Sequence, residues 1–453
     1  MDILENKISH GNSEMTGIKI KDIMLINPDH TIQTANIFIV DEKIAHIGIN
    51  APKDFRCDYL IDGRDKLAVP GFINTHTHAY MSGFRNWVDG ISYYDLHRRL
   101  YLIEELLSPE DAYTLSLLSI LEMIKSGITC FADVHKFPEA TVTAATDMNM
   151  SAIVSRNLSG ENSEEGDKQL EEAIEEYNKF KDNEHYHFML APESIYSCRK
   201  QYLHKISAVA KKYNLGIHSA LSISREEVIN CLGMYHQTPI EVFEECELLS
   251  NNTTIAHCTY PSDRDIDILS STNTNVSINT CSSLKLGNEL SPVSQMKSSG
   301  INLCLGTNGA AANNSLNMLR EMQFTSLLSN SRVPDSSNIN YNNNEKLSTH
   351  EVFDMATING AKALGLGDKI GKLERGYNAD IAIFDLEDIS FTPLNDPISA
   401  LCYATAGITA HTVICNGKIV LYEKQFTDID TFKLIDNVMQ IITDKIYQIR
   451  DTN

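Results

Sequence analysis

Apolar residues follow two different rhythms along this chain. Over residues 17–66, short runs such as IKIKDIMLI, ANIFIV and KIAHIGI alternate with turn residues, which predicts a small β unit. From Leu67 onward, short apolar runs are separated by amphipathic stretches. The runs are AVPGFIN, ITCFADV, SAIVSRN, HFMLAPE, LGIHSAL, TTIAHCT, VSINTC and INLCLGTN. Helices are predicted between them, for example over 108–125 and over 168–180, where Leu170, Ile174, Tyr177 and Phe180 share a face. Eight β segments, each followed by helix-like sequence, predict an α/β protein built on a (β/α)8 barrel over 67–365, with an open doubly wound sheet as the alternative. Short β runs return in ADIAIFDL and HTVICNGKIVL, so residues 366–428 are expected to complete the small β unit as a sandwich. Residues 429–453 are expected to close the chain with an amphipathic helix, and the Asn-rich segment 338–344 reads as a surface loop.

Composition narrows the classes of function. Hydrophobic residues make up 42% of the 453 and charged residues 22%, as in an ordinary packed protein. A formal charge of -22 leaves no basic face to neutralise phosphates, so a nucleic-acid partner is not expected. The ten cysteines form no CxxC pair, and several, such as Cys130 and Cys304, sit inside apolar runs, which fits a reduced, cytoplasmic protein. The opening residues carry acids and lack the apolar core of a signal peptide, and no run is long enough to span a membrane.

The stretch VPGFINTHTHAYM places His76 and His78 two apart at the end of a strand-like run, so both imidazoles face the same way. In a barrel the chemistry sits at the C-terminal ends of the strands. The pair suits a metal but is incomplete, because a catalytic zinc takes three protein ligands and an open position for water.

The motifs PGFINTHTHAYM, SGITCFAD, IAHCTY, LKLGNELSPV, LGTNGAAANNSLNM, EVFDMATINGAKALGL and IGKLERGYNADIAIFDL, in this order, resemble the amidohydrolase superfamily. The branch most resembled contains the cytosine, guanine, chlorotriazine and S-adenosylhomocysteine/methylthioadenosine deaminases. The resemblance implies a distorted (β/α)8 barrel with a β-sandwich from both chain ends, usually one divalent metal (zinc or iron), often a dimer, and addition of water to a C–N or C–Cl bond of a heterocycle. It also implies a metal held by both histidines of HTH, a strand-5 histidine and a strand-8 aspartate. A glutamate three residues after the strand-5 histidine would shuttle protons, and a strand-6 histidine would orient water or substrate.

Position by position, the match is mixed. His76, His78 and His257 agree with the family pattern, but the strand-5 histidine falls on Ala220, the shuttling glutamate on Ile223 and the strand-8 aspartate on Asn308. Alanine has no lone pair to give, isoleucine carries no proton, and asparagine lacks the charge. A family histidine that commonly touches substrate is Glu193 here, and another is Ile278. A reduced site of three histidines, His76, His78 and His257, holding one divalent metal is one expectation; no metal is the other. His135 and His218, the latter on the strand face of Ala220 but one layer deeper in the barrel, are weaker ligand candidates, each read more readily as a hydrogen-bonded polar group than as a ligand. His257 and Glu193 are the catalytic candidates. Glu104, which the resemblance places at ribose hydroxyls, joins Arg156, Glu193, Asn279 and Asn308 as a substrate-binding candidate. Thiolate ligation by Cys281 or Cys304 is set against inert burial.

Three readings stand open from the sequence. One is a diverged enzyme that binds a small nitrogenous, nucleoside-like molecule at the barrel mouth without the usual zinc hydroxide. Another is a silent binding or regulatory protein, working as a homodimer or beside an active paralogue. The third is a conventional metal-dependent deaminase.

Overall fold

The computed structural model describes residues 17–87, 89–90, 99–100, 102–160, 164–331, 346–404 and 407–446. The Asn-rich segment 338–344, the opening residues 1–16 and the end of the predicted final helix lie outside these.

Five strands, β1 (Gly17–Ile26), β2 (Ile32–Val40), β3 (Lys43–Gly48), β4 (Tyr59–Asp62) and β5 (Lys66–Pro70), open the chain. Eight more form the barrel: β6 (Phe72–Thr77), β7 (Ile128–His135), β8 (Ser151–Leu158), β9 (Tyr186–Pro192), β10 (Gly216–Leu221), β11 (Thr253–His257), β12 (Asn275–Ile278) and β13 (Leu303–Leu305). The last four, β14 (Ile381–Asp385), β15 (Thr412–Cys415), β16 (Lys418–Tyr422) and β17 (Gln425–Phe426), return to the first group. Both chain ends are hydrogen-bonded into one nine-stranded mixed sheet, in the order β17-β16-β15-β14-β5-β1-β2-β3, with β4 beside β1. Its core gathers Ile20, Ile37, Ile39, Ile381, Ile383 and Ile414.

The run AVPGFIN, expected as a single barrel strand, is divided between the two sheets. Residues up to Pro70 pair with β14, and those from Phe72 pair with β7. Gly71 is the crossing point: a side chain there would overlap Thr129, and its N–H donates to Asp380 O at 2.8 Å.

Strands β6 to β13 pair in parallel in sequence order, and β6 and β7 are buried along their whole length, as parallel strands covered on both faces require. Side-chain and backbone hydrogen bonds stitch β6 to β13 and the residues that follow it. Thr75 Oγ1 donates to Leu305 O at 2.8 Å, Asn74 Nδ2 donates to Thr307 Oγ1 at 2.8 Å, and Asn308 N donates to His76 O at 2.9 Å. A Cβ on Gly306 would lie 2.7 Å from Asn279 Nδ2 and 2.9 Å from the Cβ of His76, so only glycine lets strand ends approach this closely. The closure fixes where the HTH histidines stand.

The barrel helices form where the pattern predicts them. Pro109–Lys125 starts at Ser108, whose hydroxyl accepts from Asp111 N while Asp111 accepts in return, a capping box with proline at the first turn. Glu164–Phe180 covers the segment read from Leu170, Ile174, Tyr177 and Phe180, all packed against the main core. Among the described residues, no helix is long and apolar enough to cross a membrane.

Candidate functional site

A cavity of about 600 Å³ opens at the C-terminal ends of the barrel strands. β6 delivers His76 and, one residue past its end, His78; β7 ends on His135, and β10 contributes His218 and Ala220. His257 ends β11, Glu193 follows β9 and Asn308 follows β13. The cavity therefore gathers all five candidate histidines.

Three of the histidines cluster around His76, whose ring centroid lies 5.1 Å from those of His78 and His218 and 5.5 Å from that of His257. His76 Nδ1 and His218 Nε2 share one hydrogen bond at 3.0 Å. His78 Nδ1–H donates to Val134 O at 3.0 Å, which leaves its lone pair on Nε2. Burial holds His76 well below the ordinary histidine range and His218 down at about 3, so both rings are neutral at pH 7.

Asn308 stands where the resemblance implies an aspartate, and its amide plays a different electrical role. Its Oδ1 accepts from Gly309 N at 2.7 Å, and its Nδ2 donates to Ser282 Oγ at 3.0 Å and to His257 Nε2 at 3.2 Å. An amide donor thus covers the ring nitrogen of His257. Asn308 (φ 58°) and His257 (φ 71°) both adopt the left-handed backbone region, which is uncommon for any residue with a side chain. Asn279 Oδ1 accepts from His257 N at 3.1 Å and Ser291 Oγ donates to His257 O at 2.7 Å, holding that strained residue from both sides.

The donor set does not fit a catalytic metal. Among the described residues, no three His, Cys, Asp or Glu side chains converge so as to hold an ion. This arrangement gives no support to the expected site of His76, His78 and His257: Asn308 Nδ2 engages the Nε2 of His257, and Ala220 offers no donor. His218 reaches the cavity and bonds His76. His135 is not a ligand either: its Nδ1 accepts from Phe137 N at 2.6 Å, so its proton sits on Nε2. Cys281 and Cys304 stay protonated, since burial pushes both thiols up, Cys304 to about 12.

The outer wall is acidic. Glu104 forms a hydrogen bond with the Tyr80 hydroxyl, and burial, with Glu193 nearby, pushes its carboxyl up to about 8. Glu193 lines the same wall. Two substrate-binding expectations change here. Arg156 lines the cavity, but its guanidinium donates to Lys136 O at 2.7 Å and Glu176 at 3.0 Å and pairs with Glu172, leaving little for a ligand. Asn279 is buried beneath His257 and is not among the described lining residues. Tyr80 was missed because the strand rhythm of His76 and His78 breaks into the short 3-10 helix Ala79–Phe84, which turns Tyr80 toward Glu104. Its only signal in the sequence is its place two residues past His78.

Residues 67–420 match the amidohydrolase family model. The chain belongs to the amidohydrolase family. It is 34% identical over 417 residues to a 5-methylthioadenosine/S-adenosylhomocysteine deaminase of Caldanaerobacter subterraneus, covering 91% of this chain and 94% of that one. It is 35% identical over 433 residues to the protein of the same name from Acetivibrio thermocellus, covering 94% and 98%. Among solved structures, a zinc-bound adenosine deaminase from Xanthomonas campestris superposes with a TM-score of 0.87 at 23% identity, covering 94% of this chain and 97% of that one. A zinc complex of atrazine chlorohydrolase from Arthrobacter aurescens gives 0.85 at 22%, covering 94% and 100%. This amidohydrolase thus has relatives named as deaminases across nearly its whole length. Its Ile223, where the resemblance implies a proton-shuttling glutamate, is buried outside the described cavity lining, and its N–H donates to Glu227 at 2.7 Å.

Proposed function

We propose that this amidohydrolase binds a small nitrogenous, nucleoside-like molecule at the barrel mouth and does not act through a zinc-bound hydroxide. The observation that carries this reading is the amide of Asn308 donating to His257 Nε2 where a metal-binding carboxylate would be needed. The names of the relatives favour a nucleoside-like ligand, and the cavity volume suits one. Tyr80 and Glu104 offer a hydroxyl and a carboxyl to a sugar-like edge, while the His135 Nε2–H offers a donor. His76 and His218, held neutral by burial, supply a polar floor. Ten free cysteines agree with a reduced, cytoplasmic setting, and a homodimer or a pairing with an active paralogue belongs to the same proposal.

Calorimetric titration of methylthioadenosine into chelator-treated protein is the test. One saturable site per chain is expected, weakened about tenfold by Tyr80→Phe through the loss of one hydrogen bond to a charged or polar partner. Absence of binding, or chelator-sensitive ammonia release by the untreated protein, would sink the proposal.

A further inference from the structure

The charges around the cavity do not balance. Among the described lining residues, seven are glutamates and three are lysine or arginine. All three cations are already paired: Lys136 with Glu105 at 2.5 Å, Arg156 with Glu172 and with Glu176 at 3.0 Å, and Lys168 with Glu172 at 3.7 Å. Glu104 and Glu193 face the same space with no ion-pair partner among the described residues. A second, independent feature points to an absent ligand. His135 is 3% exposed, lines the cavity and packs its ring 4.2 Å from that of Tyr80. The Phe137 N–H fixes its proton on Nε2, and that buried N–H donor has no partner.

We propose that the cavity selects a cationic member of the nucleoside-like class, one bearing a protonated amine, with Glu193 and Glu104 as counter-charge and the His135 Nε2–H donating to an acceptor atom of the same molecule. This rests on the nucleoside-like reading of the site. Where the family resemblance sets a substrate-touching histidine, this chain has a carboxylate, and an amine recognised by two carboxylates gains charge-assisted hydrogen bonds that a neutral thioether does not. The overall charge of -22 adds long-range attraction for cations. Glu104, held protonated by burial and by Glu193, ionises once the ligand's charge compensates it.

The test is calorimetry at low salt with two probes of one scaffold, 5′-amino-5′-deoxyadenosine, which is protonated at neutral pH, and methylthioadenosine, which is neutral. Wild type is expected to prefer the amine by about tenfold or more, and Glu193→Gln or Glu104→Gln to reduce that preference to within about threefold. Thermal melts of both variants confirm that each is folded. Equal affinity of wild type for the two probes overturns cation selection and leaves nucleoside binding standing. A preference that survives in both variants overturns the assignment of the two carboxylates. If neither probe binds wild type, the nucleoside-like reading falls and this proposal falls with it.

Discussion

Single substitutions decide how this site behaves. Where the family resemblance implies a carboxylate, the amide of Asn308 donates rather than accepts and commits His257 Nε2 to the protein itself. That change was legible in the sequence as a missing charge. Its consequence was not, because it depends on the side chain settling between Ser282 and His257. Glu104 was legible only as a candidate, since its environment comes from Tyr80 and Glu193 on other elements. Its carboxyl is raised from 4.5 to about 8, so the folded state binds a proton that the unfolded chain releases. That contribution is fully present below pH 4.5 and is lost as the pH rises through about 8. Thermal melts across this window should therefore show wild type losing stability relative to Glu104→Gln as pH rises; parallel curves would remove the assigned protonation.

At the scale of elements, most of the architecture could be read from periodicity alone. Ser108 followed by Pro109 and Asp111 announces a capped helix, and the face of Leu170, Ile174, Tyr177 and Phe180 announces another. The junction at Gly71 could not be read, because β5 and β6 form one continuous apolar run whose division depends on which sheet each half pairs with. The glycine marks the division: its backbone lies so close to Thr129 that a methyl group would overlap that side chain. Gly71→Ala is expected to destabilise the fold by about 1–3 kcal/mol, as overpacking of a dense interior does. Denaturant unfolding gives the value, and a change below about 0.5 kcal/mol would mean that the two sheets meet less tightly there.

For the whole molecule, the sequence indicated a barrel beside a small β-sandwich made from both chain ends, and the structure joins those ends into a single nine-stranded mixed sheet. Family membership fixes the frame but not the chemistry, because function resides in particular side chains placed on a shared fold. Here the frame keeps the HTH pair, His257 and the stitched β6–β13 closure, while Ala220 and Asn308 withdraw two of the ligand positions implied by the family resemblance. The proposed function requires that the remaining donors hold no catalytic metal. The most direct measurement is metal content per chain by elemental mass spectrometry, on protein purified without a chelator or a histidine tag. Wild type, His76→Ala/His78→Ala and Ala220→His/Asn308→Asp are compared side by side. The expected result is far less than one metal per chain in wild type, no change when the histidines are removed, and a gain in the variant that restores the two donors. Near-stoichiometric metal in wild type that disappears with His76 and His78 would contradict the account.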